Sequence, residues 1–409
     1  MSGDSLYFDF AASTPVAEEV LEAMLPHLRG GFANPSSAHR AGRRSAAAVE
    51  RSAEGVAGLV GADPAEIVWT SGATESNNLA LAGAARYQRE RHGRDHIVTS
   101  RTEHKSVLAT CQALEREGFR VSYLAVAPDG SLDPDALAAV VDDRTAVVSV
   151  MHVNNETGVV QDLPRILEPV RESGAVAHVD AVQAAGRLPV DLSVLDADLV
   201  SLSAHKLYGP KGAGALYVRR RRGLRLRPLL HGGGQQNGLR PGTLPVHQIV
   251  GMGAAFQLAA DRREADLDQL GLLHERLRRG LSSLDGVVLN GRADGSPHIL
   301  NASFVGVHGD ALTAELGERL CVSAGSACSA ADGSPSHVLR AMGRPDALAH
   351  ASLRFSLGRS TTERDVDAAV EIVAAALARL RPLSPVWRAY RAGYPVSALY
   401  NTEITLPLA

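Results

Sequence analysis

A lysine follows an apolar run in the stretch SLSAHKLYGPKGAGALYV, residues 201–218. Ser203, His205 and Lys206 come directly after this run, and glycine-rich turns come after them. Ligands of open α/β sheets bind outside the carboxyl ends of the strands, so Lys206 is expected beside a polar crevice. A lysine amine in such a place can form an imine with a carbonyl compound. A single lysine after a strand is more often an ordinary surface residue, so Lys206 alone is weak evidence.

A second candidate stretch, VWTSGATESNNLAL (68–81), runs from an apolar strand into a helix that is predicted to start near Thr74. The free N–H groups and the positive dipole end of a helix N-terminus bind phosphate groups well. Gly72 lets the backbone approach a ligand closely, and Thr74 adds a hydroxyl donor. The alternative is an ordinary capped helix, because Thr-Glu-Ser is also normal capping chemistry.

A third stretch, VAHVDAVQAAG (176–186), is an apolar strand that ends in Asp180, with Gln183 three residues further on. A buried aspartate needs a partner, and a protonated pyridine nitrogen is one such partner. Helix capping by Asp180 is the alternative. Together the three strand ends supply a phosphate cradle, a pyridinium partner and an imine-forming lysine. These are the requirements of one cofactor, pyridoxal 5'-phosphate.

The chain also carries a thiol in an unusual setting, CVSAGSACSAADGS (321–334). Free cysteine is usually a small buried hydrophobe, but the small and polar neighbours of Cys328 predict a loop. A thiolate is a strong nucleophile, so Cys328 is a candidate for attack on an activated substrate. Cys111 and Cys321 are predicted to be structural. With three cysteines and no CxxC spacing, neither a disulfide framework nor a structural zinc site is expected, and we predict a reducing, cytoplasmic compartment.

Apolar β-type runs alternate with helical patterns along the first 220 residues, which predicts a mostly parallel sheet covered by helices. A long helical pattern begins near residue 246 and links two predicted domains. The large domain would span 16–258. The smaller α+β domain would combine 1–15 with 259–409 and carry the cysteine loop at about 321–335.

Composition and charge give no support for nucleic-acid binding, membrane binding or secretion. The chain has 409 residues and a formal net charge of −3, which gives no whole-chain argument for nucleic-acid or membrane binding. The N-terminal stretch lacks the pattern of a signal peptide, and no apolar run reaches the roughly 18 residues of a spanning helix. The arginine-rich run 219–227 is either a solvated basic patch or a docking face for acidic acceptors.

A series of short stretches resembles the cysteine desulfurases of the NifS/IscS type, within the class V aminotransferase family and the fold-type I enzymes that use pyridoxal phosphate. The stretches follow the family's order from residue 7 to about residue 360. They are YFDFAASTPV, NPSSAH, TSGATESNN, TEHKSV, HVNNETGVVQD, HVDAVQAAG, SAHKLYGPKGAGALYVR, HGGGQQNGLRPGT, SAGSACSA and LRFSLGR. The resemblance implies an α/β fold with a mostly parallel large-domain sheet.

The resemblance also implies a role for each matching residue. Lys206 would hold the cofactor covalently, Asp180 would pair with its pyridinium nitrogen, and Gln183 would contact its ring hydroxyl. His104 would stack on the ring and take part in proton transfer. The implied phosphate ligands are Ala73, Thr74, Ser203, His205 and, from a neighbouring subunit, Thr243. This last role implies a homodimer with shared sites.

For the substrate, the resemblance implies that Asn155 and Arg354 hold the carboxylate of L-cysteine, with Asn155 also near the cofactor. Arg354 suits this role because its planar fork matches a carboxylate. Taken singly, His104 could be a helix cap, Asn155 a turn residue and Arg354 a surface strand residue. Cys328 would accept the substrate sulfur as a persulfide and leave alanine, which makes the protein a sulfurtransferase.

Partners and alternatives follow from the same resemblance. The sulfur would pass to an acceptor protein, such as an iron–sulfur scaffold or a sulfur-relay protein, and Cys328 could transiently bind an iron–sulfur cluster. No resident metal, direct nucleic-acid binding or membrane contact is expected. A selenocysteine lyase or another class V enzyme is the main alternative, although an aminotransferase has no use for Cys328. A non-enzymatic scaffold is the third.

Overall fold

The computed structural model describes residues 5–221, 223–324 and 334–400. Its strands, in chain order, are β1 (Leu6–Tyr7), β2 (Ile67–Thr70), β3 (His96–Ser100), β4 (Arg120–Leu124), β5 (Thr145–Met151), β6 (Val176–Asp180), β7 (Leu199–Ser203), β8 (Gly214–Val218), β9 (Val287–Asn290), β10 (Ile299–Phe304), β11 (Leu320–Cys321) and β12 (Ser352–Ser356). Its helices are α1 (Glu18–Arg29), α2 (Arg40–Val60), α3 (Ala73–His92), α4 (Lys105–Arg116), α5 (Pro134–Ala138), α6 (Leu163–Ser173), α7 (Val246–Ser282), α8 (Gly309–Leu316), α9 (His337–Ala341), α10 (Asp346–His350), α11 (Glu363–Leu380), α12 (Pro385–Arg391) and α13 (Val396–Leu399).

The central sheet has seven strands in the order β2-β8-β7-β6-β5-β3-β4. The strands from β7 to β4 pair in parallel, whereas β8 runs antiparallel to both of its neighbours. Every residue of β3, β5, β6 and β7 is buried, as expected for parallel strands covered by helices on both faces. Asp180 and Ser203 therefore end two adjacent parallel strands at the same sheet edge, the usual place for a ligand in such folds.

A second, antiparallel sheet has the order β12-β10-β9. The apolar core at the central sheet and the apolar core at this small sheet are separate clusters, and the 37-residue helix α7 contributes to both. Phe256 packs in the first cluster, and Leu273 and Leu277 pack in the second. The predicted division at residue 258 falls inside this helix, and the domain boundaries stay a prediction.

The N-terminal arm connects the two sheets. β1 pairs in parallel with β11, and Asp9 forms a bridge with Ser356 at the end of β12. A few residues later, the N–H of Thr14 donates to the carbonyl of His205, 3.0 Å away, beside the central sheet. The arm therefore crosses from the small sheet to the end of β7, where it passes Lys206.

No helix within the described part of the chain is long and apolar enough to cross a membrane.

Candidate active site

A cavity of about 440 Å³ opens at the carboxyl ends of β6 and β7. It is lined by every site residue that the sequence predicted, apart from Thr243 and Cys328. The predicted residues in its walls are Ala73, Thr74, His104, Asn155, Asp180, Gln183, Ser203, His205, Lys206 and Arg354. Residues that are up to 281 positions apart in the chain therefore share one crevice. Thr243 lies outside this cavity, and Cys328 lies outside the described residues.

Lys206 lies in the wall of this cavity and is partly buried. Its Nζ donates to the carbonyl oxygens of Ala11 and Ala12 in the N-terminal arm, at 2.6 and 2.8 Å. Burial lowers the pKa of Lys206 from 10.5 to about 7, and the positive charges of Arg354 and Arg187 act in the same direction. A neutral amine, the nucleophilic form, is therefore abundant near neutral pH.

In protein freed of any cofactor, Lys206 is expected to react with acetic anhydride with a midpoint near pH 7. The folded state loses the Lys206 proton near pH 7, whereas the unfolded chain keeps it to about pH 10.5. The unfolded state thus binds more protons within this window, and the free energy of unfolding rises with pH across it. Peptide mass spectrometry measures the modification, with Lys105 and Lys211 in the same digest as internal references. A midpoint for Lys206 near pH 10 would contradict the lowered pKa.

The start of α3 forms one end of the cavity. Gly72 is the N-cap residue, with a φ of 150°, and it has no side chain that could cap the first turn. β8 approaches this turn so closely that a Cβ on Gly214 would lie 2.5 Å from the Cα of Gly72. Nearby, the hydroxyl of Ser203 is buried and has no hydrogen-bond partner among the described residues. Free helix N–H groups beside an unpartnered hydroxyl form a site that suits a phosphate group.

Asp180 lies on the floor of the cavity and is 6 % exposed. One carboxylate oxygen accepts from Asn77 Nδ2 at 2.8 Å, and the other accepts from the N–H of Val182 at 3.0 Å. Gln183, one turn further on, donates to the carbonyl of Ala11 and contacts His298 through its other amide atom. The contacts with Asn77 and Val182 fix the orientation of the Asp180 carboxylate, which lines the cavity and suits a positively charged ring nitrogen.

His104 is the N-cap of α4, as well as a wall of the cavity. Its Nδ1 accepts from the N–H of Ser106 at 3.1 Å and lies 2.8 Å from the hydroxyl of the same residue. Burial lowers the pKa of His104, so the imidazole is neutral at neutral pH. The helix-cap alternative is therefore correct for Nδ1 and compatible with a role for the rest of the ring in the cavity.

Arg354 is 2 % exposed and is the largest fully buried side chain of the described residues. Its Nη2 donates to Asp9 Oδ1 at 2.7 Å and to the hydroxyl of Ser323 at 3.1 Å, and its Nη1 donates to the carbonyl of Asn155 at 2.8 Å. The Nε of Arg354 is buried and has no partner among the described residues. Arg354 thus brings a rigid, charged group to the wall of the cavity, where it suits an anion.

Sequence reasoning missed several residues of this site. Asp9 neutralises Arg354, Asn77 orients Asp180, and the carbonyls of Ala11 and Ala12 hold the lysine amine. Asn77 could have been found, since it lies one helical turn after Thr74 on the predicted helix. The role of the N-terminal arm could not have been found, because Ala11 and Ala12 contact the lysine through backbone carbonyls, which every residue type has.

Cys111 and Cys321, the two cysteines that the structure describes, lie where structural residues are expected. Cys111 is buried in α4, where burial raises its thiol pKa to about 12, and Cys321 lies in β11.

In the arginine-rich run, Arg219, Arg221 and Arg227 pair with carboxylates of the same chain. Their partners are Asp196, Asp198 and Glu90, respectively.

Comparisons with known proteins agree with this fold. The model of the family Aminotransferase class-V matches residues 6–369. The cysteine desulfurase IscS of Pectobacterium atrosepticum is 51 % identical over 398 residues, which cover 96 % of this chain and 98 % of the relative.

Two solved structures add to this result. A NifS-like protein has a TM-score of 0.85 and 36 % identity and covers 92 % of this chain and 100 % of its own. A structure titled "SspA in complex with cysteine" has a TM-score of 0.77 and 40 % identity and covers 86 % of this chain and 99 % of its own. The chain belongs to the cysteine desulfurase family of the class V aminotransferases. The predicted fold class and the predicted desulfurase activity are thereby confirmed.

Proposed function

We propose that the protein is a pyridoxal 5'-phosphate-dependent L-cysteine desulfurase that passes sulfur through Cys328 to an acceptor protein. The observation that carries this proposal is the convergence of Lys206, Asp180, Ser203 and Arg354 on one cavity. Lys206 offers covalent attachment and Asp180 offers a charge for the ring nitrogen. Ser203 offers a donor to the phosphate, and Arg354 offers a cation to the substrate carboxylate. Few ligands other than pyridoxal phosphate with an amino acid need all four.

The residues of the cavity fit this cofactor. The unpartnered hydroxyl of Ser203 and the uncapped start of α3 offer donors to its phosphate. Asp180 offers a buried negative charge to its pyridinium nitrogen, and His104 offers a neutral imidazole beside the ring. When bound, the cofactor supplies an electron sink for the α-carbon of an amino acid.

The chain's own groups then have separate tasks. Arg354 binds the substrate carboxylate, while Asp9 accepts from its Nη2 and holds the guanidinium in place. Lys206, with a pKa of about 7, takes and returns a proton at Nζ near neutral pH. The arm carbonyls of Ala11 and Ala12 fix where this amine points.

The sulfur step belongs to Cys328. Its thiolate attacks the substrate sulfur, the carbon–sulfur bond breaks, and the electron pair returns to the carbon skeleton that leaves as alanine. Cys328 retains the sulfur as a persulfide, and a thiol reductant or an acceptor protein removes it. The relative whose title names cysteine as a bound ligand supports cysteine as the substrate.

We further propose a homodimer in which Thr243 reaches the phosphate site of the neighbouring subunit. The acceptor is a protein of iron–sulfur assembly or of another thiolation pathway, and the enzyme acts in the cytoplasm. The names of the relatives, which include several IscS proteins, support the iron–sulfur pathway.

The proposed function is tested by product analysis with L-cysteine, dithiothreitol and the cofactor-loaded protein. We expect equal amounts of alanine and sulfide and no requirement for a 2-oxo acid as amino acceptor. Formation of a 2-oxo acid from cysteine would instead indicate an aminotransferase. A parallel assay with L-selenocysteine tests the alternative substrate, and activity with selenocysteine alone would contradict the proposal.

A further inference from the structure

A cluster of two histidines and an aspartate lies apart from the cavity described above. His308 Nδ1 lies 3.7 Å from one carboxylate oxygen of Asp310, and His350 Nε2 lies 3.6 Å from the other. The two imidazole rings are 5.0 Å apart. Among the described residues, this is the one group of histidine, cysteine and carboxylate side chains that brings three potential metal-donor atoms within 4.8 Å of one another.

These spacings are too long for hydrogen bonds, which end near 3.5 Å, but they suit a shared metal ion. Zinc binds nitrogen and carboxylate donors at about 2.0–2.2 Å, so neighbouring donors of a tetrahedral site lie roughly 3.3 Å apart. Each imidazole nitrogen lies only a few tenths of an ångström beyond this spacing from an oxygen of Asp310, and the three donor atoms, one per residue, lie within 4.8 Å of one another. His308 and Asp310 have largely exposed side chains, with 71 % and 79 % of their surface accessible, and they are free to make this adjustment.

The backbone brings the three residues together closely. His308 is the N-cap of α8, Asp310 lies in its first turn, and His350 is the last residue of α10. Gly309 separates the first two ligands, and a Cβ at this position would lie 2.1 Å from the carbonyl oxygen of His350 and 2.6 Å from its Nδ1. The close approach of the two helix ends thus depends on a residue without a side chain.

We propose that His308, Asp310 and His350 bind one divalent transition-metal ion of the Zn²⁺ type, with a fourth position open to water. Two imidazoles and one carboxylate favour such an ion over Mg²⁺ or Ca²⁺, which prefer oxygen donors. The ion joins the start of α8 to the end of α10, just before β12. No resident metal was expected from the sequence, in which Asp310 and His350 are 40 positions apart and form no metal-binding motif.

Both imidazoles also line a surface cavity of about 600 Å³ whose other walls are mainly apolar. Tyr400, Val386 and Leu383 belong to these walls. A donor group that enters this cavity has access to the open coordination position. The site is therefore of the open kind, with three protein ligands, rather than a closed structural site.

Isothermal titration calorimetry with ZnCl₂ tests this proposal on the cofactor-loaded Cys328→Ser protein after treatment with a chelator. Every variant carries this background, so that the thiol proposed for catalysis does not compete. His308→Gln and Asp310→Asn are expected to weaken Zn²⁺ binding at this site by at least about tenfold. Loss of a residue that only hydrogen-bonds a metal ligand already lowers metal affinity by about tenfold or more, and these changes remove ligands themselves. His92→Gln, which replaces an exposed histidine on α3, is the matched control and is expected to bind Zn²⁺ like the parent.

A thermal measurement provides the second readout. Zn²⁺ is expected to raise the melting temperature of the parent and of His92→Gln, but not that of His308→Gln or Asp310→Asn, since only a folded, intact site binds the ion. Melting temperatures in the presence of a chelator show whether each variant folds. Equal Zn²⁺ affinity, or an equal rise in melting temperature, in all four proteins would overturn the proposal, as would binding of Mg²⁺ with the affinity of Zn²⁺.

Discussion

Replacing Lys206 by alanine is expected to reduce alanine formation from L-cysteine by more than about 10³-fold, because one change removes both the covalent anchor and the positioned proton carrier. Lys206→Arg is expected to be equally inactive, since a guanidinium keeps the positive charge but forms no imine. If the role of Lys206 were only electrostatic, the arginine variant would retain much of the activity.

Covalent attachment can be read directly, without an activity assay. The chain has only three lysines, Lys105, Lys206 and Lys211. After borohydride reduction of the cofactor-loaded protein, we expect the phosphopyridoxyl mass on the peptide that contains Lys206. Attachment to either of the other lysines, or activity of Lys206→Ala close to that of the parent, would contradict this role.

Arg354→Lys is expected to lower kcat/KM for L-cysteine by about 10²-fold, mainly through a higher KM, since a misplaced substrate costs that much. The two terminal nitrogens of the guanidinium donate to Asp9, Ser323 and Asn155. A lysine ammonium is a point charge that cannot serve Asp9, the Asn155 carbonyl and a substrate carboxylate in the same geometry.

Arg359→Lys is the matched control for this change. Arg359 also forms an ion pair, with Asp266 at 2.7 Å, and its guanidinium lies over the ring of Tyr208, but it does not line the catalytic cavity. Steady-state kinetics on both variants, with melting temperatures as the folding check, measures the effect. A KM that rises equally in both variants would assign the loss to general destabilisation rather than to substrate binding.

The parts of the site that lie at strand ends could be predicted from the sequence. Buried parallel strands are continuous apolar runs, so β6 and β7 can be located in the sequence. A polar residue at the end of such a run is then easily noticed. Asp180 and Lys206 were found in this way. By contrast, β4 has the sequence RVSYL at the sheet edge and only one fully buried residue, so it gave no comparable apolar run.

The contacts of the N-terminal arm could not be predicted in this way. The carbonyl of Ala11 meets Lys206 across 195 residues, and Asp9 meets Arg354 across 345. Such pairs depend on how the whole chain closes, and neither periodicity nor local spacing encodes them. The lowered pKa of Lys206 belongs to the same group of properties, since it results mainly from burial by the assembled fold.

In the proposed reaction, Cys328 carries the sulfur of L-cysteine away as a persulfide. The most direct test measures alanine released from L-cysteine, with a reductant present, by the parent, by Cys328→Ala and by Cys321→Ala as the matched cysteine control. We predict alanine from the parent and from Cys321→Ala, and none from Cys328→Ala although it still binds the cofactor. Equal alanine release by the parent and Cys328→Ala, or no alanine from a cofactor-loaded parent, would contradict the account.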